Sequence, residues 1–143
     1  MGMVDVTDKP VILRRAETSG KIFLSGNTLG VIRAGGVKKG NPFSVAEVAG
    51  MNAAKQTHLL IPHCHQIPLD MVRVEFQIME DHIEARCAVS AHARTGVEME
   101  ALVGVSIALN TIWDMVKYLE KDKNGQYHDT RITDIKVLSK KKG

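Results

Sequence analysis

The sequence predicts an α+β fold in which an antiparallel sheet carries its helices on one face, in the order βαββαβ. Three observations predict it. Val72 to Ile78 and Ile83 to Ala93 alternate apolar and polar residues on either side of Glu80-Asp81, the pattern of one long hairpin. The stretch from Gly96 to Leu119 places Val97, Leu102, Val105, Leu109, Ile112, Val116 and Leu119 on a single helical stripe. Apolar runs at Lys21-Ile22-Phe23-Leu24 and from Ile132 to Leu138 supply a first and a last strand.

The elements follow in order. The first dozen residues lack periodicity, and residues 1–20 read as an irregular arm before the strand at Lys21. Ser25 is an N-cap for a short helix with Leu29, Val31 and Ile32, closed by Gly35-Gly36. A basic, glycine-bounded loop, Val37-Lys38-Lys39-Gly40-Asn41, leads to Pro42, which suits an early helix position. Val45, Val48, Ala49, Ala53 and the alanine-rich stretch to Leu59 then recur at helical spacing until Pro62 stops them. In the hairpin, Ile83, Ala85, Cys87, Val89, Ala91 and Ala93 share a face, so Cys87 is a packed small hydrophobe. After the long helix comes a polar loop, Lys121 to Asp129, then the last strand; residues 139–143, with Lys140-Lys141-Lys142, read as a solvated basic tail.

A chain of 143 residues with 44% hydrophobic content is one globular domain able to bury a core. A net charge of only +3 and 4% aromatics argue against nucleic acid, which needs a basic face and stacking side chains. Charges and prolines break every apolar stretch well short of the ~20 residues a membrane span requires. Two cysteines, Cys64 and Cys87, without an apolar signal segment, point to a reducing, cytoplasmic setting.

Two blocks hold more chemistry than a fold requires: Leu60-Ile61-Pro62-His63-Cys64-His65, and Ala93-Arg94-Thr95-Gly96-Val97-Glu98-Met99-Glu100-Ala101-Leu102. His63, Cys64 and His65 lie past a helix end, in a loop leading to the hairpin. They could be zinc ligands by type, although adjacent residues rarely converge on one tetrahedral ion. They could instead satisfy loop backbone, or contact a substrate with an imidazole tuned near neutrality. Glu98 and Glu100 open the long helix, where the helix dipole favours carboxylates. Asp114 and Lys117, three apart, read by themselves as a surface ion pair. Glu100 and Asp114 are separated by fourteen residues, about 21 Å along one helix. A compact site using both would have to be completed by a neighbouring subunit, so the spacing predicts an oligomer with active sites at its interfaces.

These blocks, with Met3-Val4-Asp5-Val6, Val37-Lys38-Lys39-Gly40, Ala53-Ala54-Lys55-Gln56-Thr57 and Thr111-Ile112-Trp113-Asp114-Met115-Val116-Lys117, resemble the cyclic pyranopterin monophosphate synthase family of molybdenum cofactor biosynthesis, across nearly the whole chain. One departure is Gln66, where the family usually has proline after Cys-His; here Pro68 follows two residues later. The resemblance implies a ferredoxin-like fold and a lyase that converts 3′,8-cyclo-7,8-dihydro-GTP to cyclic pyranopterin monophosphate with release of pyrophosphate. It implies Asp114 and Lys117 as the acid/base pair and His63, Cys64, His65, Glu98, Met99 and Glu100 as substrate contacts. Lys39, with Lys38 as the competing assignment, Lys55 and Arg14 match further binding positions, Lys39 and Arg14 at the phosphates. It also implies a homohexamer, a trimer of dimers, with no required cofactor beyond Mg²⁺ that could accompany the phosphates.

Overall fold

The computed structural model describes all 143 residues. Its elements are β1 (Ile12–Phe23), α1 (Gly26–Arg33), α2 (Pro42–Lys55), α3 (Thr57–Leu60), β2 (Met71–Ile78), β3 (His82–Ala93), α4 (Glu98–Glu120) and β4 (Arg131–Lys142). The strands form one antiparallel sheet in the order β2-β3-β1-β4. This is the ferredoxin-like arrangement, with α2 and α4 against one face of the sheet.

The hairpin has the predicted register: Val72 faces Val89, Val74 faces Cys87 and Ile78 faces Ile83. The inward row of β3, Ile83, Ala85, Cys87, Val89, Ala91 and Ala93, is fully or nearly fully buried. Burial pushes the Cys87 thiol up to about 12, so it packs as a neutral, inert group. On α4 the buried face is Ala101, Gly104, Val105, Ala108, Leu109, Ile112, Met115 and Val116; Leu102 and Leu119, expected on that stripe, are only half-buried. By length and composition α4 could cross a bilayer, but half of its most apolar window is buried inside the protein, as befits the central helix of this core.

Four boundaries differ from the sequence reading. The irregular arm ends at residue 11, because β1 starts at Ile12. Its inward row is Arg14, Ala16, Thr18, Gly20 and Ile22, too polar and too small to show a hydrophobic period. Gly20 is small for a reason: a Cβ there would stand 2.7 Å from Leu109 Cδ1. The basic tail is also not free, since β4 runs on to Lys142, with Lys140 opposite Ala16 and Lys142 opposite Arg14. Strand pairing overrides the solvated look of the lysines. The second helix breaks at Gln56, where the Thr57 hydroxyl donates back to the carbonyl of Ala54 (2.9 Å) and α3 begins. Finally, α4 starts at Glu98 rather than Gly96.

Small residues set how α2 crosses α4. A Cβ on Gly50 of α2 would lie 2.9 Å from the Gly104 carbonyl oxygen, and one on Gly104 would lie 2.8 Å from Cys87 Sγ. The two helix backbones therefore meet directly, which fixes the ends of α4 relative to the loops around them. The far end of α4 is held by Glu120, whose carboxylate accepts from the Ser25 hydroxyl (2.8 Å), the Thr130 hydroxyl (2.8 Å) and the Thr28 hydroxyl. One side chain thus joins the start of α1, the end of α4 and the approach to β4.

Candidate active site

The N-terminal end of α4 opens on a pocket of ≈ 390 Å³ whose walls include His63, Cys64, His65, Glu98, Met99 and Glu100. All six side chains of the two sequence blocks are therefore gathered in one place. Val4, Val6 and Lys9 of the arm close one side, and Lys140 of β4 closes another. His65 Nε2 lies 2.8 Å from the Val4 carbonyl, which assigns the proton to that nitrogen. The arm and the His-Cys-His loop are thereby tied together, although Gln66 replaces the family's proline. These side chains and their neighbours make no group that could hold a metal ion.

Glu100 is 4% exposed. Burial, opposed in part by its own backbone N–H and reinforced by the Glu98 charge, holds its carboxyl above the ordinary range. A buried carboxyl of this kind can keep a proton and donate it. The Cys64 thiol is likewise raised, by burial first and then by Glu100 and Glu98, so it is a neutral contact rather than a thiolate nucleophile. Glu98 Oε1 receives Lys140 Nζ at 3.2 Å, while Oε2 is buried with no partner in the protein. A buried acceptor without a partner, on a residue that lines the pocket, is an unsatisfied group that an N–H or O–H donor would satisfy. Gly96 makes room for that carboxylate: a Cβ there would fall 2.3 Å from Glu98 Oε2 and 2.8 Å from Lys140 Cε.

Asp114 and Lys117 are not in this pocket. They stand at the other end of α4, about 21 Å from Glu100 by helix rise. Lys117 Nζ lies 3.0 Å from Asp114 Oδ1, and Lys39 Nζ lies 3.3 Å from Oδ2 and 3.1 Å from the Asp114 carbonyl oxygen. The hydrogen bonds from the two lysines hold the Asp114 carboxyl below the ordinary range, and Asp114 in turn raises Lys117. Near neutrality Asp114 is thus a carboxylate and Lys117 an ammonium. Of the two candidate lysines, Lys39 joins this cluster; Lys38 instead lies over the Tyr118 ring at 5.2 Å, with its backbone N–H donating to the Tyr118 hydroxyl.

Arg14 and Lys55 take other places. Arg14 is buried, and its Nε and Nη2 donate to the carbonyls of Ala93 (3.3 Å) and Arg94 (3.1 Å). It holds the segment that carries Thr95 and Gly96 into α4. Lys55 is exposed at the last position of α2, with no hydrogen bond or ion pair in the protein. The sequence reading missed Lys140, Lys9 and Gly96 in the pocket. A terminal lysine run gives no cue until its strand pairing is known, whereas Gly96 did carry a signal, beside Glu98 in a block already rich in chemistry.

Comparisons with known proteins place the chain in a family. Residues 3–143 match the MoaC family. The chain is 55% identical to the probable cyclic pyranopterin monophosphate synthase of Thermococcus kodakarensis, covering 99% of this chain and 90% of that one. It is 51% identical to the protein of that name in Pyrococcus abyssi, over 96% of this chain and 87% of that one. A third, in Aeropyrum pernix, is 51% identical over 99% of this chain and 97% of its own length. With both sequence blocks gathered at one end of α4 and a match that runs almost from end to end, the chain belongs to the MoaC family.

Proposed function

We propose that this protein is a cyclic pyranopterin monophosphate synthase, a lyase of molybdenum cofactor biosynthesis that converts 3′,8-cyclo-7,8-dihydro-GTP to cyclic pyranopterin monophosphate and pyrophosphate. The observation that carries the reading is the convergence of Cys64, His65, Glu98, Met99 and Glu100 on one pocket in a chain that matches the family over residues 3–143.

The chemistry divides between the two ends of α4. In the pocket, the unpartnered Glu98 Oε2 accepts from the N–H groups of the purine-derived ring. Glu100, whose carboxyl burial holds above the ordinary range, is placed to donate a proton to a ring heteroatom as the first ring opens. Met99, His63, Cys64 and His65 line and orient that ring. Ring opening, pterin closure and attack on the α-phosphate each move a proton, and Asp114 as base with Lys117 as acid fits the ionisation that their mutual contact imposes. Lys39 brings a second cation to the phosphates, Lys55 reaches them from the end of α2, and Arg14 acts through the segment it holds. Mg²⁺, if required, would accompany the triphosphate or the departing pyrophosphate and neutralise part of its charge.

A substrate spanning both clusters cannot be served by one protomer. The active unit is therefore a homo-oligomer in which the Asp114 end of one protomer covers the Glu100 pocket of another, and the family resemblance makes it a hexamer built as a trimer of dimers. The setting is cytoplasmic. The test is incubation with the cyclised dihydro-GTP, following pyrophosphate release and, after oxidation, pterin fluorescence. Turnover by the parent that disappears in Asp114→Ala and Lys117→Ala supports the reading. Intact substrate after incubation with folded, oligomeric protein overturns it in favour of a binding module without turnover.

A further inference from the structure

A second recess, of ≈ 220 Å³, adjoins the pocket and shares His65 and Thr95 with it. Its walls include His92 and Arg94 but no aspartate or glutamate. We propose that this recess is a diphosphate subsite, in which His92 and Arg94 bind the two terminal phosphates of the substrate and hold them as the departing pyrophosphate. The inference rests on the triphosphate substrate of the preceding reading and adds where its tail lies.

His92 lies on β3, one residue before its end, and Arg94 in the bend that follows; both line the recess. His92 is built in rather than loose. Asp70 Oδ2 accepts its backbone N–H at 3.1 Å and lies 2.7 Å from Nδ1, and Asp70 is itself anchored by its backbone N–H to the Ser90 carbonyl at 2.9 Å. With Nδ1 as donor to the carboxylate, Nε2 is left for a ligand. Binding a phosphate oxygen there makes Nε2 a donor.

Arg94 is fixed by its backbone and free at its tip. Its carbonyl accepts Arg14 Nη2 at 3.1 Å, while its own guanidinium has no hydrogen bond or ion pair in the protein. A planar fork of donors without a carboxylate partner is matched to bidentate phosphate binding. Electrostatics sort the substrate between the two cavities. The pocket holds Glu98 and Glu100, whose oxygens suit an N–H-rich ring, beside Lys9 and Lys140, whereas the recess has no carboxylate to oppose a polyphosphate. The recess offers a guanidinium and imidazole donors, so the tail turns past His65 and Thr95 into it.

The test uses the full-length oligomer and inorganic pyrophosphate, with affinity read by calorimetry and by competition against turnover. Arg94→Gln and His92→Gln are both exposed changes that leave the fold alone. Each is expected to weaken pyrophosphate binding by roughly tenfold or more, the scale of one charge-assisted hydrogen bond. Arg131→Gln, which removes the same charge at the opposite end of the sheet, leaves the affinity unchanged. No binding to the parent, unchanged affinity in both recess variants, or an equal loss in Arg131→Gln overturns the subsite. Binding is read without catalysis, so a protein that failed to convert cyclised dihydro-GTP would still decide this question. Conversely, normal turnover with unaltered pyrophosphate inhibition in both variants removes the subsite and leaves the reaction standing.

Discussion

The two ends of α4 carry the same residue types in opposite circumstances. At the N-terminal end a buried glutamate is pushed towards neutrality inside a pocket walled by five segments of the chain. At the C-terminal end an aspartate is drawn towards full ionisation by two lysines, in the open. Asp114 and its partners Lys39 and Lys117 have side chains 58%, 45% and 40% exposed. The contrast teaches that burial and ion pairing move two carboxyl groups of one helix in opposite directions, the pairing that the proposed function uses as proton donor and base. Only one of the two ends is enclosed by the protomer itself. A charge cluster without walls neither excludes water nor grips a substrate, which is why the proposed function has a neighbouring protomer cover it.

The sharpest way to break this comparison is to disable the two ends in different molecules. Glu100→Gln and Asp114→Ala homo-oligomers should each lose about 10²–10⁴-fold in turnover, the usual weight of one acid/base group. Dissociated and reassembled together, they should regain activity through mixed interfaces that pair an intact pocket with an intact Asp114. Mixtures as inactive as their parents would show that each site is built from a single protomer.

Two glycines sharpen it next, because one supports the whole helix and the other only its pocket end. Gly50→Ala sets a methyl against the Gly104 carbonyl, at 2.9 Å, and backbone has nowhere to yield. A loss of about 1–3 kcal/mol in denaturant unfolding is expected. Gly96→Ala meets only the tips of Glu98 and Lys140, which can swing aside. Melting should hold while the affinity for the cyclised substrate falls, and a melting loss as large as that of Gly50→Ala would contradict this division.

Smaller effects concern ionisation. Glu100 titrates higher in the folded protein than in the unfolded chain, so the folded state keeps a proton that the unfolded chain has released. Stability therefore falls as pH rises through that window. Glu100→Gln removes the slope, and its melting temperature relative to the parent should be higher at about pH 8 than at about pH 4. The smallest effect belongs to the open end. Lys39→Ala should leave thermal melting unchanged, since exposed ion pairs contribute little, while the Asp114 carboxyl, followed by NMR titration, moves back up towards its ordinary value.

How legible these ends were in the sequence follows the same contrast. The hairpin and α4 announced themselves because their inward residues are apolar at a clear period. The pocket residues stood out because unusual chemistry is compressed into two short blocks. What could not be read was whatever depends on pairing distant segments. The polar inward face of β1 hid a strand of twelve residues, and Lys140 looked like tail until β4 placed it beside Glu98. Likewise, nothing local to His92 indicates Asp70, twenty-two residues earlier, as its partner. The separation of Glu100 from Asp114 was legible at once, since helix rise converts sequence distance into length.

The position of β1 between β3 and β4 has a consequence for the order in which the protein comes into being. As the chain leaves the ribosome, β1 is the first strand made, yet its partners are residues 82–93 and then 131–142. It waits with both edges open, and pairings that distant are slow to form. A strand as apolar as β3 in that position would invite neighbouring nascent chains to join it. Arg14, Arg15, Glu17 and Lys21 make β1 an unattractive template. The charges that obscured the strand from its sequence are thus the ones that protect it until the sheet closes.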